Sequence, residues 1–195
     1  MKGKLNVILD LDQTLISGEE LASFDVRKNK EKIKKFDHNT MQNFFIIFAR
    51  PHLQDFLDFL FENFNVAVWT AATKDYALFI VKNFILVKPG RKLNFIFYSH
   101  HCDMSQKLKK GLKGLSMLWD VFRLKKYNEN NTIIVDDNPD VLISQACNVI
   151  QIKPFYYNDR ASYNDDELNN VKMELVKINN YMRKGVMGTC LKNTF

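Results

Sequence analysis

The 195 residues carry a formal net charge of +6 and are 46% hydrophobic with 16 Phe, enough for one domain with a filled core and too few for two. No segment approaches the unbroken apolar run of a membrane span, so a membrane partner is excluded from the reading. The three cysteines are odd in number and widely spaced, which fits neither a disulfide framework nor a zinc cluster and leaves them as ordinary thiols.

Strand and helix signals then alternate along the chain, the pattern of an α/β, Rossmann-like parallel sheet flanked by helices. The start, Met1-Lys2-Gly3-Lys4, carries no secretory signal and leads straight into a first strand over residues 5 to 10; the expected location is intracellular, nuclear or cytoplasmic. Residues 16 to 43 are polar and lysine-rich and read as a loop or small flap, with the positive charge concentrated between Arg27 and Lys35. A short strand over 44 to 48 should pair with residues 35 to 37 across a His38-Asn39 turn. A helix follows Pro51, with Leu53, Phe56, Leu57, Leu60, Phe61 and Phe64 at helical spacing. Residues 66 to 69 give the next core strand, closed by Thr70. A further helix from Lys74 ends before Pro89-Gly90.

The stretch 93 to 99 reads as a strand of a short β insertion, and Leu112, Leu115, Leu118 and Phe122 as a short amphipathic helix. Residues 132 to 135 and 149 to 152 complete the core strands. The last helix should start at Asn164, capped by it with Glu167 reaching back, bury Leu168, Val171, Leu175, Ile178 and Met182, and stop at Gly185. The expected organisation is a single domain over 1–184, without a large cap domain, followed by a tail over 185–195.

Asp10 and Asp12 stand two apart at the end of the first strand. Charge there costs free energy unless it is paired or holds a metal, and the carboxyl edge of a parallel sheet is where ligands bind. Three further sets follow in chain order: Thr70, then Lys113, then Asp136 with Asp137. Singly, each has an ordinary reading as a cap, a surface lysine or a turn. Together they offer a nucleophile, ligands for a divalent cation, a hydroxyl donor and a fixed positive charge, the set that phosphoryl transfer needs. Hard oxygen ligands without histidine favour Mg²⁺ over zinc. His38 and His52 are dispersed, and the adjacent His100 and His101 would face opposite ways on a strand, so no histidine metal site is expected.

Asp10-Leu11-Asp12-Gln13-Thr14-Leu15 resembles the Asp-x-Asp-x-Thr signature of the haloacid dehalogenase superfamily. Arg50-Pro51-His52-Leu53, Val68-Trp69-Thr70-Ala71-Ala72 with Tyr76-Ala77, and Ile134-Val135-Asp136-Asp137-Asn138-Pro139 are similar to one branch of it, the small carboxy-terminal-domain phosphatases that act on the RNA polymerase II tail. The resemblance implies the haloacid dehalogenase fold and a Mg²⁺-dependent protein serine/threonine phosphatase. It implies Asp10 as the nucleophile, forming an aspartyl-phosphate, and Asp12 as the acid and base. Asp10, Asp12 (through its carbonyl), Asp136 and Asp137 would hold the metal, and Thr14, Thr70, Ala71 and Lys113 would contact the phosphate.

Two departures bear on substrate. Ser99 stands where that branch often has a peptide-reading arginine, and the lysine-rich 25–35 segment replaces its apolar flap. The expected partner is a phosphorylated protein segment, with the polymerase tail foremost. Two alternatives stand beside it: a phosphatase of nucleic-acid 3′ ends using the basic segments, and a catalytically silent phosphoprotein-binding module.

Overall fold

The β1 run Asn6–Leu9 is buried at every position, as a strand covered on both faces must be. The computed structural model describes residues 4–183. After β1 come β2 (Ile16–Glu20), α1 (Lys30–Lys35), β3 (His38–Met41), β4 (Phe45–Ala49) and α2 (Leu53–Asn63). They are followed by β5 (Asn65–Trp69), α3 (Lys74–Ile80) with a π-helical turn Val81–Ile85, β6 (Ile96–Phe97), α4 (Ser99–Lys109) and α5 (Ser116–Asp120). The last elements are β7 (Thr132–Asp136), α6 (Pro139–Ser144), β8 (Val149–Gln151) and α7 (Glu167–Arg183).

Five strands form one parallel sheet in the order β6-β5-β1-β7-β8, with β1 at its centre. Strand periodicity splits the core in two. Val7 and Leu9 face one layer with Val66, Val68, Ile133 and Val135, against α2, α3 and α7. Ile8 faces the other with Ala67, Trp69 and Ile134, against α4, α5 and α6. Register places Leu9 opposite both Val68 and Val135, so Asp10, one residue on, stands level with Trp69 and Asp136 at the carboxyl edge.

Beside that edge an antiparallel flap, β2-β4-β3, covers a third cluster of Phe24, Phe36, Ile46, Phe48, Phe155 and Tyr157. Of the two readings of this stretch, loop or small flap, residues 16 to 20 take the second, as a strand of the flap. The His38-Asn39 turn is not formed: both residues belong to β3, and the chain reverses instead at Gln42, whose φ of 50° and the bond from the Phe44 amide to the Met41 carbonyl (3.1 Å) make the turn. Part of the lysine-rich run folds as α1, where Ile33 and Phe36 anchor it to the flap cluster and Lys32 and Lys35 lie over the Tyr163 ring, 4.1 and 4.4 Å from its centre.

The stretch 93 to 99 is not an insertion. Ile96–Phe97 joins the central sheet as its edge strand, and α4 begins immediately after it. That helix carries no apolar stripe, since only Cys102 and Ser105 are buried, which is why periodicity misses it. The helix expected over 112 to 122 is confined to α5. At the start of α7 it is Asp165, not Asn164, that accepts the Glu167 amide, at 3.2 Å. Leu168, Val171, Leu175 and Ile178 are buried along α7 and Met182 packs on the same core. The expected stop at Gly185 and the 185–195 tail lie outside the described residues. Cys102 is a free, buried thiol, whereas Cys147 is disulfide-bonded, against the expectation of thiols throughout. No helix among the described residues is long and apolar enough to cross a membrane.

Candidate active site

β1 and β7 end side by side, the Asp10 amide donating to the Val135 carbonyl at 3.0 Å. Lys113 Nζ bridges the two ends, 2.7 Å from Asp10 Oδ1 and 2.8 Å from Asp136 Oδ2, with only 2% of its side chain exposed. Burial alone would depress that ammonium, but the two carboxylates outweigh it and hold its pKa above the usual lysine range. Lys113 sits on no helix or strand. Ser105 Oγ accepts the Gly114 amide (2.7 Å) and donates to the Gly111 carbonyl (2.5 Å), while the Gln145 amide group donates to the Lys113 carbonyl (2.7 Å) and accepts from the Leu115 amide (2.9 Å). Ser105 and Gln145 thus set the position of Lys113, and neither bears a local sequence signal.

Asp136 is fully buried and accepts the Asn138 amide at 2.9 Å. Asp137 accepts the Thr14 hydroxyl at 3.1 Å. Thr14, expected on the phosphate, has its hydroxyl on this acid. Asp10, Asp136 and Asp137 each present an oxygen within 4.8 Å of the others. Burial first, and then the Asp10 charge, push the Asp136 and Asp137 carboxyls above the carboxylate range. Three acids crowded against one ammonium form a hard-oxygen donor set short of positive charge, which fits a metal ion.

Asp12 points elsewhere. Tyr76 of α3 donates to its Oδ1 at 2.8 Å. Burial pushes the Asp12 pKa up to about 6, with the neighbouring charges of Asp10 and Asp137 adding to it and the Tyr76 bond and Lys113 opposing. Thr70 closes β5 at the same edge; its amide donates to the Phe97 carbonyl (3.0 Å) and its hydroxyl accepts the Ala72 amide (3.1 Å), while Ala71 is exposed beside it. No cluster of metal-ligating groups among the described residues includes a histidine; His100 and His101 lie in the first turn of α4, not on a strand.

Arg50 has a role that the motif alone did not reveal. Its guanidinium is buried and forks onto Asp165 (2.7 and 2.8 Å), while donating to the carbonyls of Thr14 (2.9 Å), Gln13 (3.4 Å) and Lys153 (2.9 Å). It ties the loop behind Asp12 to the start of α7. Two surface clefts, about 510 Å³ beside the start of α2 and about 490 Å³ along β6, take in none of Asp10, Asp136 or Asp137.

Residues 5–185 match the family described as NLI interacting factor-like phosphatase. The chain is 43% identical over 172 residues to the CTD phosphatase-like protein 355R of Invertebrate iridescent virus 6, covering 86% of this chain and 94% of that protein. It is 25% identical to the ubiquitin-like domain-containing CTD phosphatase 1 of Xenopus tropicalis over 94% of this chain and 50% of that protein. Among solved structures it is similar to fission yeast Fcp1, an RNA polymerase II CTD phosphatase, bound to beryllium fluoride. The TM-score is 0.57 at 20% identity, covering 91% of this chain and 51% of that one, a likeness of fold.

Proposed function

This chain belongs to the NLI interacting factor-like phosphatase family, and from that premise we propose that it removes phosphate from serine or threonine in flexible protein segments, with repeats like those of the RNA polymerase II tail as its substrate. The observation that carries the reading is the Lys113 bridge. It occupies one oxygen of Asp10, at 2.7 Å, and leaves the other to attack phosphorus.

The reaction has two steps. Asp10 attacks the phosphoryl group and forms an aspartyl-phosphate, while the Asp12 carboxyl gives its proton to the departing serine oxygen. Asp12, now a carboxylate, takes a proton from the water that hydrolyses the intermediate. Lys113 and the Thr70 hydroxyl, with the exposed backbone at Ala71, receive the equatorial oxygens. Asp10, Asp136, Asp137 and the Asp12 carbonyl would hold Mg²⁺, which supplies positive charge against the phosphate when bound. Thr14 serves by fixing Asp137 (3.1 Å).

The expected outcome is Mg²⁺-dependent phosphate release from a phosphoserine tail peptide, lost with chelator and lost in Asp10→Asn. Full turnover by that variant would remove the nucleophile. A 3′-phosphorylated oligonucleotide turned over faster than the peptide would move the substrate to nucleic acid. Release no greater than without enzyme would leave a binding module.

A further inference from the structure

Gly18 occupies the middle of β2, paired with Ile47 of β4. Its φ lies outside the left-handed region, so the backbone gives no reason for glycine there, and glycine weakens a strand interior. The reason lies in space. A Cβ at position 18 would stand 2.7 Å from the Tyr76 hydroxyl, closer than real contacts allow, while its next neighbour, Ile47 Cγ1 at 3.6 Å, is ordinary contact. That hydroxyl is the group that donates to Asp12 Oδ1 at 2.8 Å. The Tyr76 ring meets Phe45 of β4 edge-on, with centroids 5.5 Å apart, so the flap fixes both the ring and the space left for its hydroxyl. Asp12 is half-buried, and among the described residues no second hydrogen bond engages its carboxyl.

We propose that Tyr76 is the positioning residue for leaving-group protonation, holding Asp12 in one orientation with its free oxygen toward the substrate, and that Gly18 is the flap residue whose missing side chain permits it. The reading rests on the phosphatase function proposed above. In the first step the Asp12 proton passes to the serine oxygen as the serine O–P bond breaks and the Asp10 O–P bond forms. In the second, water attacks phosphorus, its proton returns to Asp12, and the Asp10 O–P bond breaks to release inorganic phosphate. Serine leaves as an alcohol and needs that proton; p-nitrophenol leaves as a stabilised anion and needs it far less. The geometry of Asp12 therefore matters for alkyl phosphates above all.

The test compares kcat/KM, which reports the first step, for a phosphoserine peptide and for p-nitrophenyl phosphate. It is run in the wild type, Gly18→Ala, Tyr76→Phe and the double variant, with melting temperatures followed alongside. Each single substitution should lower the peptide value about tenfold and the aryl value distinctly less, as expected when an acid is misplaced rather than removed. In the Tyr76→Phe background, Gly18→Ala should cost nothing further in turnover or in melting temperature, because the hydroxyl it would strike is gone. Equal losses on both substrates, or additive losses in the double variant, overturn the inference while leaving the phosphatase reading intact. A wild type that releases phosphate from neither substrate overturns both.

Discussion

Burial of three carboxyls close to Lys113 sets a pH dependence. The carboxyls of Asp12, Asp136 and Asp137 titrate above the ordinary carboxylate range, Asp12 at about 6. A carboxyl raised by folding favours its protonated form in the native state. That contribution is full below the unfolded pKa, about 4, and is lost as pH rises through the folded value. The metal-free protein should therefore melt at a lower temperature at about pH 8 than at about pH 5, and Mg²⁺ should raise the melting temperature more at the higher pH. A melting temperature flat with pH and indifferent to Mg²⁺ would contradict this account. At this scale the convergence of Asp10, Asp136 and Asp137 was anticipated in the sequence, because acids that end neighbouring strands of one parallel sheet share its carboxyl edge. Arg50, Tyr76 and Gln145 were not, since their partners lie far along the chain, 115 residues away for Arg50 with Asp165, 64 for Tyr76 with Asp12 and 32 for Gln145 with Lys113. Ser105 was not, because its bonds go to the nearby Gly111 and Gly114, in a loop that follows no periodic pattern.

Elements differ in how plainly they announce themselves. β1, β5 and β7 were readable as continuous apolar runs because the sheet is covered on both faces. α2 and α7 were readable from their stripes. α4 was silent, for it buries only Cys102 and Ser105, and the flap's turn chemistry was misplaced because His38-Asn39 and Gln42-Asn43 look alike to turn propensity. The junction that joins elements most firmly is the Arg50 fork, which holds the loop after β1 and the start of α7 at once. Arg50→Leu leaves Asp165 without its partner and the Thr14 carbonyl without its donor; the expected loss is about 3–5 kcal/mol in denaturant unfolding. Activity should fall further than stability explains, because the loop carrying Asp12 loses its anchor. A change below about 1 kcal/mol would show the fork to be dispensable.

For the whole molecule, the parallel order of five strands gathers residues from four separate stretches of the chain at one edge, so the α/β class and the site's place at that edge came out of the sequence together. The net charge of +6 is displayed in part by exposed cations, such as Arg27 and Lys30, before and at the start of α1. A phosphorylated, acidic substrate should be drawn in by that field. Raising salt from about 50 to about 500 mM should lower kcat/KM on the phosphopeptide several-fold while kcat changes little. Equal sensitivity of both constants would mean that the charge acts on the chemistry rather than on the encounter.

The Ser105 and Gln145 tethers carry a last implication. The amine that pairs with Asp10 rides on a segment with no ladder of its own, moored by the side chains of Ser105 on α4 and of Gln145 just past the end of α6. Gentle heat or dilute urea can slip those moorings while the strands behind them stay zipped. The enzyme should thus fall silent several degrees before its circular dichroism changes, dying first and melting afterwards.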